Sequence, residues 1–280
     1  MAESSKAIID GHYQIGLPWR HNKTLFPDNR ILAERRLACL KRLLLRDEHL
    51  RTKYSAVIQS HIKRGYVSKV NTTKEEVVGR WYLPHHPVLN INKPGKVRVV
   101  FDCAAEFRGT SLNKVLLQGP NINNSLLGVL LRFRKHEVAV SADVEEMFLQ
   151  VRVPITDRRA LSFLWWDSEL LEGRPNILEL NVHPFGATSY PCCVSFALRQ
   201  TALDNAESFS TQSVSAITEN FHVDDCLVST ETVGDAKRIV TELRRLLHLG
   251  GFHITKWISN RPEVIEDMQV TERWCKVKAL

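Results

Sequence analysis

The sequence predicts a fold of the α+β class, in which helices and strands are mixed without regular βαβ repetition. Three observations support this prediction: two basic helical segments near the N-terminus, short alternating strands in the middle, and an apolar hairpin, ENFHVDDCLVS, with paired aspartates at its turn. At 280 residues, 44% of them hydrophobic, the chain is long enough to bury a core without disulfides. No apolar run approaches the roughly 18 residues of a membrane-spanning helix, and the first residues lack the layout of a secretory signal. We therefore expect an intracellular protein with no membrane partner.

The N-terminal part is predicted to be irregular at first and then helical. Glycine and proline interrupt residues 1–30, after which Asn29 is a candidate N-cap for the helix RILAERRLACLKRLLLR. A second helix, KYSAVIQSHIKRGY, is predicted to end at Gly65. Between Arg20 and Arg64, twelve Lys and Arg face four Asp and Glu, an excess larger than the +7 of the whole chain. This excess suits a polyanionic partner, and a solvated amphipathic helix would carry it equally well.

The rest of the chain contains both kinds of element. Val97, Val99 and Phe101 alternate after a Pro-Gly turn and predict a strand. Further strands are predicted at EVAVSAD, RALSFLWW and FHITKWIS, and helices at residues 123–135, PCCVSFALRQTALDNA and DAKRIVTELRRLLHLGG. No internal repeat or low-complexity tract interrupts this order.

Three carboxylates are the strongest candidates for chemistry. Asp224 and Asp225 lie at the turn of the predicted hairpin, and Asp143 ends the apolar strand EVAVSA. An Asp-Asp turn alone is usually a solvated turn. Carboxylates at the ends of neighbouring strands, however, would converge on one edge of a sheet, need a compensating cation and favour Mg²⁺. Two such ions about 3.5–4 Å apart would suit a phosphoryl displacement.

The cysteines and histidines predict no metal site. The six cysteines show no CxxC spacing, so we expect reduced, small buried residues in a reducing compartment. His183, the pair His85-His86, and His253 have no i, i+4 pairing, so structural or surface roles are expected.

Several motifs occur together and in order: DGHYQIGLPW, RVVFDCAAEFRGTSLN, VSADVEEMFLQV, HPFGATSYP, HVDDCLVS and GGFHITKWISN. With these motifs the chain resembles the reverse transcriptase domain of the Pao/BEL family of long-terminal-repeat retrotransposons. The resemblance covers nearly the whole chain, and the 81 residues from Asp143 to Asp224 suit the elements that polymerase palms place between these carboxylates.

The resemblance implies a right-hand polymerase fold of fingers and palm, with an N-terminal helical extension and a thumb that is largely absent. Residues 1–70 would be the basic helical linker and 71–260 the fingers and palm. Within these, the fingers would take about residues 71–115 and 151–182, the palm about 116–150 and 183–260, and a truncated thumb would begin at 261–280. The implied partners are an RNA or DNA template with primer, and dNTPs. The implied location is the cytoplasm or virus-like particles, and the oligomeric state stays open.

The resemblance also implies the catalytic residues. Asp143, Asp224 and Asp225, with the backbone carbonyl of Val144, would hold two Mg²⁺ ions, with Mn²⁺ as an alternative. Lys256 would protonate the pyrophosphate leaving group, although a lone lysine after a strand is more often simply exposed.

Nucleotide and primer contacts are implied in the same way. Arg98 would grip the incoming triphosphate, with Lys96 or Lys93 as its companion, a choice that the sequence leaves open. Phe148, five residues after Asp143, would exclude a ribose 2′-hydroxyl; a core phenylalanine is the competing interpretation. The remaining implied contacts are Phe185 and Gly186 at the nucleotide, and His222 and Val223 at the primer.

Two departures from the family pattern qualify the prediction. His222 replaces the usual tyrosine of the Y-x-D-D motif, and Tyr190 replaces a small residue before Pro191, where its phenol would crowd the template. An alternative is therefore a catalytically inactive remnant that acts at most as a nucleic-acid-binding module. A two-metal nuclease or phosphatase of another fold would not explain Phe148 or the Arg98 segment.

Overall fold

The computed structural model describes residues 7–21, 26–70, 79–89 and 95–274. It confirms the α+β class. The helices, in chain order, are α1 (Arg30–Arg46), α2 (Glu48–Lys63), α3 (Leu112–Val115), α4 (Leu126–Phe133), α5 (Tyr190–Asp204), α6 (Thr211–Glu219) and α7 (Val233–His248). The strands are β1 (Ala7–Ile9), β2 (His12–Gln14), β3 (Val67–Lys69), β4 (His85–Leu89), β5 (Val97–Phe101), β6 (Val138–Glu145), β7 (Ser162–Trp165), β8 (Asn176–Leu180), β9 (Phe221–His222), β10 (Asp225–Thr230) and β11 (His253–Ser259).

The ends of α1 and α2 agree only in part with the prediction. Asn29 precedes α1 as predicted but makes no side-chain cap bond; instead its amide pairs with the backbone of Tyr82 through two hydrogen bonds of 2.8 Å. Asn29 is therefore the N-cap residue of α1, as predicted, but its side chain does not cap the helix, because a buried asparagine gains more from satisfying both halves of its amide. Helix α2 begins earlier than predicted, because Asp47 accepts from the Leu50 N–H at 2.9 Å. Gly65 ends this helix with a φ of +71°, as predicted.

The described chain forms two compact units. The first contains Gln14–Gly119 and Arg152–Tyr190, and the second contains Ala7–Tyr13, Pro120–Val151 and the described part of Pro191–Leu280. The fingers and palm boundaries stated above stay a prediction.

The first unit contains α1, α2 and two small antiparallel sheets, β3-β8-β7 and β4-β5. Its core is aromatic: Tyr54 donates toward His85 at 2.6 Å, and His85 also bonds the Leu164 carbonyl at 3.0 Å. Trp165 and Trp166 are both buried, as expected of core residues. Burial lowers the pKa of His85 to about 4, so this ring is neutral and structural, as predicted.

The second unit is built on a four-stranded sheet in the order β11-β6-β10-β9. Helix α7 supplies a buried apolar stripe that includes Ile239, Leu243 and Leu246. Along β6 the burial alternates, with Val138, Val140, Ala142 and Val144 buried. Because side chains alternate between the faces of a strand, Asp143 lies on the opposite face from this buried row.

The described residues after β11 form only two short 3₁₀ turns, Pro262–Val264 and Val270–Glu272. The described part of the chain therefore contains no thumb domain. Among the same residues, no helix is long and apolar enough to cross a membrane. Five cysteines lie in the described ranges, and all are free: Cys39, Cys103, Cys192, Cys193 and Cys226.

Candidate active site

The carboxylates converge at one end of the sheet in the second unit. Strand β10 pairs antiparallel with β6, and Asp225 lies directly opposite Asp143. Directly opposed residues share a face of the sheet, so both side chains lie on the face away from the buried row. Asp224 occupies the turn between β9 and β10, and its carbonyl accepts the Val144 N–H at 2.9 Å. The predicted convergence of Asp143, Asp224 and Asp225 is thus present.

The hairpin that holds Asp224 has a strained turn. Asp225 pairs with His222, so Val223 and Asp224 form a two-residue connection. Val223 has a φ of +59°, a left-handed value that a β-branched residue rarely adopts. Such outliers persist where the surrounding structure imposes them, often at functional sites.

Lys256 reaches the same carboxylates from the other side of β6. Thr255 pairs with Asp143 and Ile258 with Ser141, so residues 256 and 257 form a bulge in β11. Lys256 has a φ of +55° in this bulge, and its Nζ donates to Asp143 Oδ1 at 2.6 Å. Bulges redirect side chains. The predicted Lys256 therefore lies in contact with the predicted Asp143, although its side chain is still 41% exposed.

The carboxylates of Asp143, Asp224 and Asp225 lie close enough to affect one another electrostatically. Asp225 as a residue is solvent-exposed, yet partial desolvation of its carboxyl raises its pKa, and repulsion from Asp224 and Asp143 raises it further. His222 and Lys256 oppose this shift. A group of oxygen donors that repel one another is chemically suited to a hard divalent cation. Across the described ranges, however, no three His, Cys, Asp or Glu side chains form a ready-made metal site, and Lys256 occupies an oxygen of Asp143.

His222, which replaces the expected tyrosine, is held by a residue that the sequence did not single out. Its Nδ1 bonds the Asn124 carbonyl at 3.1 Å, and because a carbonyl only accepts, Nδ1 carries the proton. The Asn124 amide donates to the carbonyls of Phe221, at 2.9 Å, and Thr218. Arg199 donates to the Asn124 side-chain oxygen at 2.8 Å. Asn124 therefore anchors the start of the aspartate hairpin, and the run NINN offered no periodic signal for this role.

Phe148 lies close to the carboxylates in sequence, in a 3₁₀ turn, Met147–Leu149, directly after β6. Phe148 is half-buried, while the adjacent Met147 is fully buried. The preceding Glu146 adopts a φ of +46°, which turns the chain sharply at this point.

The predicted nucleotide residues Arg98, Lys96, Phe185 and Gly186 lie in the first unit. Lys96 and Arg98 are exposed, the latter on β5, and Lys93 lies outside the described residues. Gly186 has a φ of +109°, and a Cβ on it would lie 2.9 Å from the Phe101 carbonyl at the end of β5. The structure thus brings the Gly186 turn against the strand that carries Arg98.

Tyr190 departs from its predicted effect. It is 2% exposed and meets the Phe185 ring edge-on at 6.0 Å. A buried ring does not stand on an open surface, so the expectation that its phenol crowds a template is wrong. His183 is buried, and its Nε2 donates to the Ile15 carbonyl at 2.9 Å, which fits a structural role. His253 is exposed and lies 3.1 Å from Glu145, which fits a surface role.

Comparison with known proteins places the fold. No protein-family model and no curated protein sequence matches the chain. Among solved structures, it is similar to the foamy viral protease-reverse transcriptase in complex with double-stranded DNA, at 20% identity and a TM-score of 0.54 over 72% of this chain and 30% of that one. The same enzyme with an RNA/DNA hybrid matches at 16% identity and a TM-score of 0.53, over 85% of this chain and 25% of that one. A prototype foamy virus protease-reverse transcriptase mutant matches at 16% identity and a TM-score of 0.54, over 87% and 27%.

The chain has the right-hand polymerase fold of reverse transcriptases, without a thumb in its described part. It spans less than a third of the length of the foamy viral proteins just named.

Proposed function

We propose that this chain is the polymerase domain of a reverse transcriptase from a Pao/BEL-type retrotransposon. It would add dNTPs to the 3′-hydroxyl of a primer on an RNA or DNA template. The observation that carries the proposal is the convergence of Asp143, Asp224 and Asp225 at one end of a sheet in a reverse transcriptase-like fold.

The carboxylates would hold the metal ions. Asp143, Asp224, Asp225 and the Val144 carbonyl would bind two Mg²⁺, which would stabilise the charge that develops in phosphoryl transfer. Desolvation, and then repulsion from Asp224 and Asp143, raises the pKa of Asp225; the repulsive part supports the proposal, since added cations would relieve it. Asp143 would have to release Lys256 for both of its oxygens to become available.

Lys256 would then be in place for proton transfer. Its ammonium would donate a proton to the pyrophosphate oxygen as the bond to the α-phosphate breaks, and would later be reprotonated from solvent. The bulge and the left-handed φ of Lys256 keep its Nζ at the end of β6 where the carboxylates lie.

The other residues would select and position the substrates. The exposed Arg98 and Lys96 would bind triphosphate oxygens, and Phe185 would stack on a base. The Phe148 ring would clash with a 2′-hydroxyl and so favour deoxynucleotides. His222 and Val223 would contact the primer end, with the imidazole oriented by Asn124.

A second candidate is an inactive relative that only binds nucleic acid. The ion pair between Lys256 and Asp143 and the substitution at His222 favour it, because both alter the surroundings of the carboxylates.

Primer extension on an RNA template with dNTPs and Mg²⁺ tests the proposal. The native chain should extend the primer, and the double variant Asp224→Asn, Asp225→Asn should not. Asp267→Asn, which removes an exposed carboxylate of the second unit, serves as the matched control and should extend normally. Salt-sensitive binding of primer–template without extension by the native chain would instead support the second candidate.

A further inference from the structure

The turn that follows β8 in the first unit presents an aromatic ring to solvent. Phe185 is 55% exposed, and among the described phenylalanines and tryptophans only Trp274 is comparably exposed. The next residue, Gly186, has a φ of +109°, so the backbone changes direction directly after the ring. The ring meets Tyr190 edge-on at 6.0 Å, and more than half of the residue is still accessible to a partner.

Asn113 holds this turn from a distant part of the sequence. Its amide Nδ2 donates to the Gly186 carbonyl at 3.1 Å, and its Oδ1 accepts from the Thr188 N–H at 2.8 Å. Both halves of the amide are therefore used. An aspartate of the same size would keep an acceptor for Thr188 but would place a carboxylate against the Gly186 carbonyl.

Asn113 is itself firmly placed. Its backbone N–H donates to the Cys103 carbonyl at 3.0 Å. It lies in α3, which is capped by Ser111, whose hydroxyl accepts from the Lys114 N–H at 3.3 Å. The adjacent Leu112 is fully buried. The side-chain amide therefore projects from a fixed backbone.

The opposite side of the turn is limited by β5. Gly186 lies close to this strand, and a Cβ on it would approach the Phe101 carbonyl to 2.9 Å, so a larger residue would not fit at this turn. The two hydrogen bonds from Asn113 and the close approach of Gly186 to Phe101 constrain the backbone next to Phe185. Preorganisation of this kind lowers the cost of ordering on binding.

We propose that Asn113 is a positioning residue that fixes the Phe185 turn, so that the Phe185 ring forms a preformed stacking surface for a nucleobase. The proposal rests on the proposed polymerase function. It assigns Asn113 no contact with the reacting atoms, so its loss should weaken nucleotide binding and leave the chemical step largely intact.

Two measurements test the proposal on the whole chain. Hydrogen exchange of the Thr188 amide should become at least tenfold faster in Asn113→Ala, because its acceptor is removed. In single-nucleotide primer extension, Asn113→Ala and Asn113→Asp should raise the KM for dNTP about 5- to 10-fold and leave kcat within twofold, because each variant loses at least one of the hydrogen bonds that hold the turn. Lys114→Ala, on the same short helix, is the matched control and should change neither quantity.

A double variant separates positioning from general destabilisation. If Asn113 acts through Phe185, then Phe185→Ala should raise the KM similarly, and adding Asn113→Ala should raise it little more. Equal loss of kcat, fully additive effects on KM, or unchanged exchange at Thr188 would overturn the proposal. Absence of extension by the native chain would instead overturn the polymerase function, and the stacking role with it.

Discussion

The ion pair between Lys256 and Asp143 predicts that the lysine competes with a divalent cation. The change is Lys256→Met, which keeps the length of the side chain and removes its charge. A cation that binds Asp143 must displace the ammonium from Oδ1, 2.6 Å away, and approach the remaining positive charge. Removing that charge should therefore tighten metal binding even though it should slow polymerisation by removing the proposed proton donor.

The structure sets the size of the effect. The side chains of Lys256 and Asp143 are 41% and 27% exposed. Fully exposed pairs contribute about 0.2–1 kcal/mol, and hydrogen bonds to charged groups about 1.5–3 kcal/mol. A half-exposed pair lies between these, at about 1–1.5 kcal/mol, which corresponds to about a 5- to 12-fold lower Kd for the cation.

Titration with Mn²⁺, followed by electron paramagnetic resonance of the free ion, measures this affinity without reference to activity. Lys237→Met removes a lysine that pairs with Glu266 and Asp267 elsewhere in the second unit, and should leave the Kd unchanged. Asp143→Asn should abolish the tight site. An unchanged or higher Kd in Lys256→Met would refute the reasoning.

Three further predictions concern stability. Burial lowers the pKa of His85 and of His183 to about 4. Between pH 6.5 and 4 the unfolded chain therefore binds protons that the folded chain does not, so the free energy of unfolding should fall as the pH drops, by up to about 3 kcal/mol for each ring. Urea unfolding at several pH values should show a smaller pH slope in His183→Gln than in the native chain. Arg80→Met removes the 3.0 Å partner of Glu179, whose side chain is only 14% exposed, and should cost about 3–5 kcal/mol of unfolding free energy. In the same urea assay, Arg80→Met with Glu179→Leu should recover most of this loss, and equal losses would contradict the reasoning. Gly234→Ala, at an exposed position of α7 where the nearest atom to the added Cβ is 3.8 Å away, should stabilise by about 0.5–1 kcal/mol, seen as a higher Tm.

The sequence predicted those features that depend on local pattern. The periodicity of leucines located α1, alternation located β5, and the apolar run EVAVSA located β6. The aspartate hairpin was predicted because apolar residues flank a turn-favouring pair, and Asp143 because it follows a buried strand. These patterns are visible in a few consecutive residues, so they can be recognised without knowing which residues pack against them.

Side-chain amides show where local pattern fails. Asn29 occupies the predicted N-cap position of α1, but its side chain bonds the Tyr82 backbone and not the helix. Asn113 and Asn124 gave no signal before their partners were known. An asparagine can satisfy its donor and acceptor locally or across the fold, and its sequence neighbours do not reveal which. The partners here lie 53 to 98 residues away.

The sequence by itself determined which residues carry charge and which elements bear them: carboxylates at the ends of β6 and β10, a lysine on β11, and an exposed arginine on β5. Only the tertiary structure decided their relations. Strand pairing set Asp225 opposite Asp143, and a bulge with a left-handed residue turned Lys256 onto Asp143. Strand register and bulges arise from contacts between strands that are far apart in the chain. A shift of the register by one residue would move every side chain of a strand to the other face. Neither feature can therefore be inferred from one strand alone.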